Sequence, residues 1–234
     1  AIKRRVLAVS LLALAPLGMA PAFAQDAVSV MSFGGAYQEA QRKAVFETYT
    51  ATTGIKVDEQ EYGGEIAKIA AMIQSGNTTI DVVDVDAATL LQGCDEGIFE
   101  KIDWAQIGDK SDWIDGTTSD CGVGTIVYST SLAYNAAKTE NGPTVLADLF
   151  DTAKFPGKRG LWKNPATNLE FALLADGVPV DQVYEVLGTP EGLDRAFAKL
   201  DTIKQDIVWW EAGAQAPQLL ASGEVVMTTA WNGR

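Results

Sequence analysis

Between Val28 and Val85 the chain switches repeatedly between two hydrophobic periods, and this alternation restricts the fold more than any other feature. Val28 to Ser32 is a short apolar run broken by Gly34-Gly35. Tyr37, Ala40, Ala44, Val45 and Thr48 then share one side of a helix reaching about Thr53, where Gly54 supplies a left-handed stop. Ile55 to Tyr62 returns to alternation, and Gly63-Gly64 follow. Ile66, Ile69, Ala70 and Ile73 mark a helix from Glu65 to Ser75, ended by Gly76-Asn77. Ile80 to Val85 is rich in valine and reads as a third, buried strand. Strand, helix, strand, helix, strand implies a parallel sheet.

A second region of the same kind begins near Thr125. Thr125 to Ser129, Leu132 to Asn135, Gly160 to Lys163, Ile207 to Trp210 and Val225 to Trp231 read as strands. Leu169 to Ala175, Asp181 to Leu187, Glu191 to Ile203 and Pro217 to Ala221 read as helices. Thr144 is placed to cap a further helix from Val145 to Phe150. The fold class is α/β.

The first residues address the protein. Lys3-Arg4-Arg5 precede an uncharged apolar run from Val6 to Leu17, and Ala22-Phe23-Ala24 follows. A basic start, a short apolar stretch and an A-x-A exit make a secretory signal peptide over residues 1–24. The run falls short of the roughly 20 residues a membrane span needs, so the mature chain is expected to be periplasmic and not inserted. Acidic side chains number 31 against 18 basic ones, three of the latter in the leader. That balance argues against nucleic acid and anionic lipid, which select basic surfaces. Cys94 and Cys121 are the only cysteines. In an oxidising compartment they are expected to pair, closing a 27-residue separation worth about 3.5 kcal/mol of loop entropy.

Ligands of open parallel sheets sit beyond the carboxyl ends of the strands. Those ends hold Phe33, Gly35 and Tyr37, then Tyr62, then Asp86. Glycines there let backbone amides approach a ligand at a helix start. In the second region, aromatics stand beside polar residues at probable strand ends: Trp162 before Glu170, Trp209-Trp210 before Glu211, and Trp231 before Asn232 and Arg234. Aromatic faces with carboxylates suit a desolvated ammonium group. Alternation puts Trp209 and Trp210 on opposite faces, so one of them at most faces a cleft.

Other chemistries find little support. The chain has no histidine, which removes Ser-His-Asp and Cys-His catalysis. No phosphate-binding G-x-x-x-x-G-K-[ST] loop occurs, and Gly122-Val123-Gly124 lacks the third glycine of a dinucleotide fingerprint. Asp81, Asp84 and Asp86 lack the spacing of a calcium loop. Two cysteines without histidine are too few soft ligands for a metal site. No cofactor is expected.

Ser32-Phe33-Gly34-Gly35-Ala36-Tyr37, Lys154-Phe155-Pro156-Gly157-Lys158, Trp209-Trp210-Glu211, and Val225-Val226-Met227 through Trp231-Asn232-Gly233 together resemble the spermidine/putrescine-type periplasmic solute-binding proteins of ABC transporters. The resemblance implies a type II-like fold of two α/β lobes closing on a ligand. It places the first lobe at 25–128, the second at 129–230, and the start of a return to the first lobe at 231–234, the rest of that return lying beyond these 234 residues. It implies a monomeric receptor, not an enzyme, that delivers a polyamine such as putrescine or spermidine to an inner-membrane permease. Tyr37, Glu170, one of Trp209 and Trp210, and Trp231 match its ligand site. Arg234 departs from a polyamine site because a second cation repels one; an arginine fork suits a carboxylate instead. A carboxylated, opine-like amine is therefore the alternative, ferric ion a further one, and a secreted α/β enzyme the rival of a different class.

Overall fold

A computed structural model describes residues 27–139 and 141–234. The expected leader lies outside them.

The first lobe is built on three parallel strands. β1 (Ala27–Ser32) leads into α1 (Gly35–Gln41), one π-helical turn (Arg42–Phe46) and α2 (Glu47–Thr53). β2 (Lys56–Glu61), α3 (Ile66–Gln74) and β3 (Val82–Val83) follow. The sheet order is β2-β1-β3, with Val28 beside Val57 and Met31 beside Val83. The single helix expected up to Thr53 is continuous in path but carries a wider turn in its middle. Gly54 ends it in the left-handed conformation (φ 76°), donating its N–H to the Thr50 carbonyl at 2.9 Å.

The third strand differs from expectation. It pairs over two residues only, and Val82 is half exposed, because β3 is an edge with β1 on one side. Beyond it lie α4 (Ala87–Asp95) and α5 (Trp104–Ile107), neither marked by the hydrophobic pattern. Cys94, in the last turn of α4, forms a disulfide with Cys121 across a Cα separation of 5.8 Å, an ordinary span for such a bond.

The second lobe holds β4 (Thr130–Tyr134), β5 (Arg159–Trp162), α6 (Asn168–Ala175), α7 (Val183–Leu187), α8 (Pro190–Asp201), β6 (Ile207–Trp210), α9 (Gln215–Ser222) and β7 (Met227–Trp231). The order is β4-β7-β5-β6, with only β4 running antiparallel to its neighbour. Two expectations fail here. Thr125 to Ser129 forms no strand, since pairing begins at Thr130, and Val127 stays exposed. Thr144 does not cap a helix through its hydroxyl. Its backbone N–H and that of Val145 donate to Asp148 at 2.8 and 3.3 Å, and the segment Leu146–Phe150 is a 3-10 turn.

The main core lies in the second lobe, where Leu149, Phe150, Leu161, Leu173, Ile203 and Met227 pack together. Arg159 is fully buried beside it, its charge dispersed by donation to the carbonyls of Leu149 at 2.9 Å, Asp151 at 3.0 Å and Gly157. A smaller core of Met31, Tyr62 and Ile69 serves the first lobe. A third cluster, Trp162, Trp210 and Ala216 with Trp231 against it, faces the junction of the two lobes.

Candidate functional site

The first lobe contributes its strand ends. Gly34 and Gly35 both have positive φ (65° and 59°), which turns the chain sharply from β1 into α1. Below that turn, the Asp84 carboxylate accepts from the Tyr37 hydroxyl at 2.7 Å, the Gln41 amide at 3.0 Å and the Ser32 hydroxyl at 3.2 Å. The Tyr62 hydroxyl donates to the Asp84 carbonyl. Burial, reinforced by Asp84, pushes the hydroxyls of Tyr37 and Tyr62 well above the ordinary tyrosine value. Both tyrosines are thus neutral donors held by one residue.

The second lobe contributes indoles. Trp162 stacks on Trp210 at 6.1 Å between centroids. Trp231, the last residue of β7, meets the rings of Phe33, Tyr128, Trp162 and Trp210 edge-on at 5.2–6.5 Å. It stands where first-lobe loop, crossover segment and second-lobe sheet come together. Asn232 fixes that crossing: its N–H donates to the Ser129 carbonyl and its side-chain oxygen accepts the Ser129 N–H, both at 3.0 Å.

Charges stand beside Trp231 and its ring partner Tyr128. The Arg234 guanidinium lies 5.4 Å from its ring centroid and donates to the carbonyls of Gly34 at 2.8 Å and Phe33 at 3.1 Å. On the α6 side, Glu170 keeps one carboxylate oxygen buried and without a hydrogen-bond partner. Tyr128, half-buried against Trp231, has its hydroxyl pushed up by burial and then by the negative fields of Asp86 and Glu170. This places a cation and two acids around one aromatic cluster.

The residues singled out from sequence divide accordingly. Phe33, Trp162, Trp210 and Trp231 meet in one cluster, with Arg234 over it. Tyr37 and Tyr62 are joined through Asp84. Gly35 lies so close to Arg234 that a Cβ would stand 2.7 Å from its Nη1. Asp86 instead caps α4, accepting the N–H and hydroxyl of Thr89 at 2.9 Å each. Glu211 pairs with Lys163 at 2.6 Å on the surface. Trp209, 49% exposed, and Trp210, 1% exposed, both line an outward cavity of about 260 Å³ with Gln218 and Glu224. Sequence reasoning placed Asp84 at a candidate strand end without singling it out, and missed Tyr128. Asp84 sits at a strand end and shared the signal that selected Asp86; Tyr128 carries no local signal.

Among the described residues no three acids, cysteines or histidines gather as metal ligands, and no helix is long and apolar enough to cross a membrane.

The family model for bacterial extracellular solute-binding proteins matches residues 44–234. The gamma-aminobutyric acid-binding protein of Pseudomonas aeruginosa is 50% identical over 226 residues, covering 97% of this chain and 64% of that protein. The periplasmic binding protein MotA of A. tumefaciens B6, solved with glucopine, shares 39% identity at a TM-score of 0.82, over 87% of this chain and 63% of that one. A solved GABA receptor shares 41% identity at a TM-score of 0.73, over 88% of this chain and 63% of that one. The chain therefore spans just under two thirds of the length of these relatives, and over that span it has the two-lobed periplasmic-binding-protein fold.

Proposed function

The chain belongs to the bacterial extracellular solute-binding family, and on that premise we propose that it is the periplasmic receptor of an ABC importer for a small amine that also carries a carboxylate. Ligand held between the lobes, whose boundary we put near residues 128/129, would favour the closed state by touching both. The closed monomer would then engage the membrane permease.

The observation that carries the ligand class is a pair of opposite charges on either side of the Tyr128–Trp231 contact, with Arg234 beside Trp231 and the field of Glu170 reaching Tyr128. Arg234 lies over the ring, and the buried, unpartnered oxygen of Glu170 lies on the α6 side. An amino acid such as 4-aminobutyrate complements both groups. The relatives named for gamma-aminobutyric acid support this reading. A polyamine complements Glu170 and the indoles but leaves Arg234 facing a like charge. Ferric ion needs phenolates, which the burial of Tyr37 and Tyr62 disfavours.

Thermal melts of the protein against 4-aminobutyrate, putrescine, spermidine and ferric citrate test the proposal. Ligand at 100 times its dissociation constant adds about 2.7 kcal/mol, and each kcal/mol raises Tm by about 2–4 °C. The expected result is a shift with 4-aminobutyrate that is lost in both Glu170→Ala and Arg234→Ala. A shift with putrescine that survives Arg234→Ala would return the ligand to the polyamines.

A further inference from the structure

The parallel strands β5 and β6 end side by side, with Trp162 beside Trp210. The next residue of each is charged, Lys163 after one and Glu211 after the other. Both backbones are fixed. The Lys163 N–H donates to the Trp210 carbonyl at 2.8 Å, and the Glu211 N–H donates to the Gln215 side-chain oxygen at 2.8 Å. The two side chains pair at 2.6 Å, with 62% and 60% of their surface exposed. A pair this open to water adds little to stability by itself and is screened by salt.

A first-lobe loop is seated on this pair. The Gly63 N–H donates to the Glu65 carboxylate at 3.1 Å, which folds that side chain back over its own loop. A Cβ on Gly63 would stand 2.7 Å from Glu65 Oε1 and 3.0 Å from the Glu211 carbonyl oxygen. One point in space is therefore bordered by an acid of the first lobe and the Glu211 backbone of the second. A Cβ on Gly64 would lie 3.4 Å from the ring of Trp162, the residue before Lys163. The loop thus touches both strand ends that carry the pair. Glu211 foremost, and then the field of Glu65 from the other lobe, hold the Lys163 ammonium above its ordinary value.

One lysine stands among two acids here, and only one of the acids travels. The Lys163–Glu211 pair lies within the second lobe, so it is the same in an open and a closed receptor and favours neither. Glu65 comes near only when the lobes are together. With Lys163 in place, the arriving carboxylate meets a pair whose charges cancel and whose cation attracts it. Without Lys163 it meets Glu211 alone, and like charges resist the approach.

We propose that Lys163 sets ligand affinity from outside the ligand site, by neutralising Glu211 and receiving Glu65 as the lobes close. The inference rests on the receptor reading above and concerns the closing of the lobes, not the identity of the ligand.

Titration calorimetry with 4-aminobutyrate and with putrescine tests it. Lys163→Met should weaken whichever compound the parent binds by about threefold, the scale of an exposed ion pair. Lys163→Arg keeps the charge and should retain the parent's affinity. Adding Glu65→Gln to Lys163→Met should restore most of the loss, because the unbalanced carboxylate is gone. The same exchange in the parent should not raise affinity. A lysine that merely supports the second lobe gives no such recovery. Parent-like affinity in Lys163→Met, or a loss that Glu65→Gln does not recover, overturns the proposal and leaves the receptor reading standing. If the parent binds neither compound, the receptor reading falls, and small-angle scattering of the unliganded proteins decides the role of Lys163. A larger radius of gyration in Lys163→Met than in the parent then supports it, and an equal one overturns it.

Discussion

Asp148 collects the Lys154 ammonium at 2.8 Å and the backbone N–H groups of Thr144 and Val145 at 2.8 and 3.3 Å. These donors, the lysine foremost, hold its carboxyl down at about 2, against an ordinary value of 3.8. The folded value lies below the unfolded one, so the stability contributed is complete above the ordinary value and lost as pH falls through about 2. Asp148→Asn is therefore expected to be less stable than the parent at pH 7, with the gap closing between about pH 4 and pH 2. Melting curves across that range check it, and a gap independent of pH would mean that the lost contribution is not this charge. The same residue scale shows what pattern leaves ambiguous. Asp84 and Asp86 stand two apart at the end of one strand, yet one organises both first-lobe tyrosines and the other caps a helix. Which one takes which part depends on Tyr37 and Thr89, 47 residues before Asp84 and three after Asp86.

Most elements were legible wherever period and punctuation agreed. α2 stops at Gly54, and α8 begins behind the Thr189 cap with proline at its first position. Thr125 to Ser129 was misread because β-branched residues fit a strand only when a neighbouring strand accepts them, and none does here. α4 was missed because its opening aspartate carries the same signal as a binding residue. Its far end is tied by the Cys94–Cys121 bond to the segment holding the lone bridge between Thr118 and Val123. The same segment is also held by the Ile102 N–H donating to the Asp120 carbonyl at 2.7 Å and the Trp104 indole donating to the Ser119 carbonyl at 3.2 Å, so the bond is expected to contribute at most about 3.5 kcal/mol. Urea denaturation of the Cys94→Ser, Cys121→Ser double variant measures it; an unchanged midpoint would show that the loop is already ordered by other contacts.

At the scale of the whole molecule, glycine makes the close approach of first-lobe loops to the second-lobe indoles and Arg234 possible. Gly35 sits with φ 59° directly against Arg234, and Gly64 with φ 94° against Phe33 and Trp162. Gly35→Ala puts a Cβ within 2.7 Å of Arg234 Nη1, so it should push the guanidinium off the Phe33 and Gly34 carbonyls. The expected outcome is 4-aminobutyrate affinity reduced about tenfold, read by titration calorimetry, with only the modest loss of stability, about 1 kcal/mol, that a left-handed alanine carries. Affinity equal to the parent's would show that the Arg234 clasp plays no part in binding. The sequence by itself determined what depends on neighbours along the chain: the α/β class, the strand and helix order, the glycine stops and the likeness to solute receptors. Only the tertiary structure decided which side chains share the junction. Trp231 meets Phe33 from nearly 200 positions earlier, and Asp84 gathers Ser32, Tyr37 and Gln41. Periodicity reports which face of an element is apolar; it carries no information about what folding brings to that face.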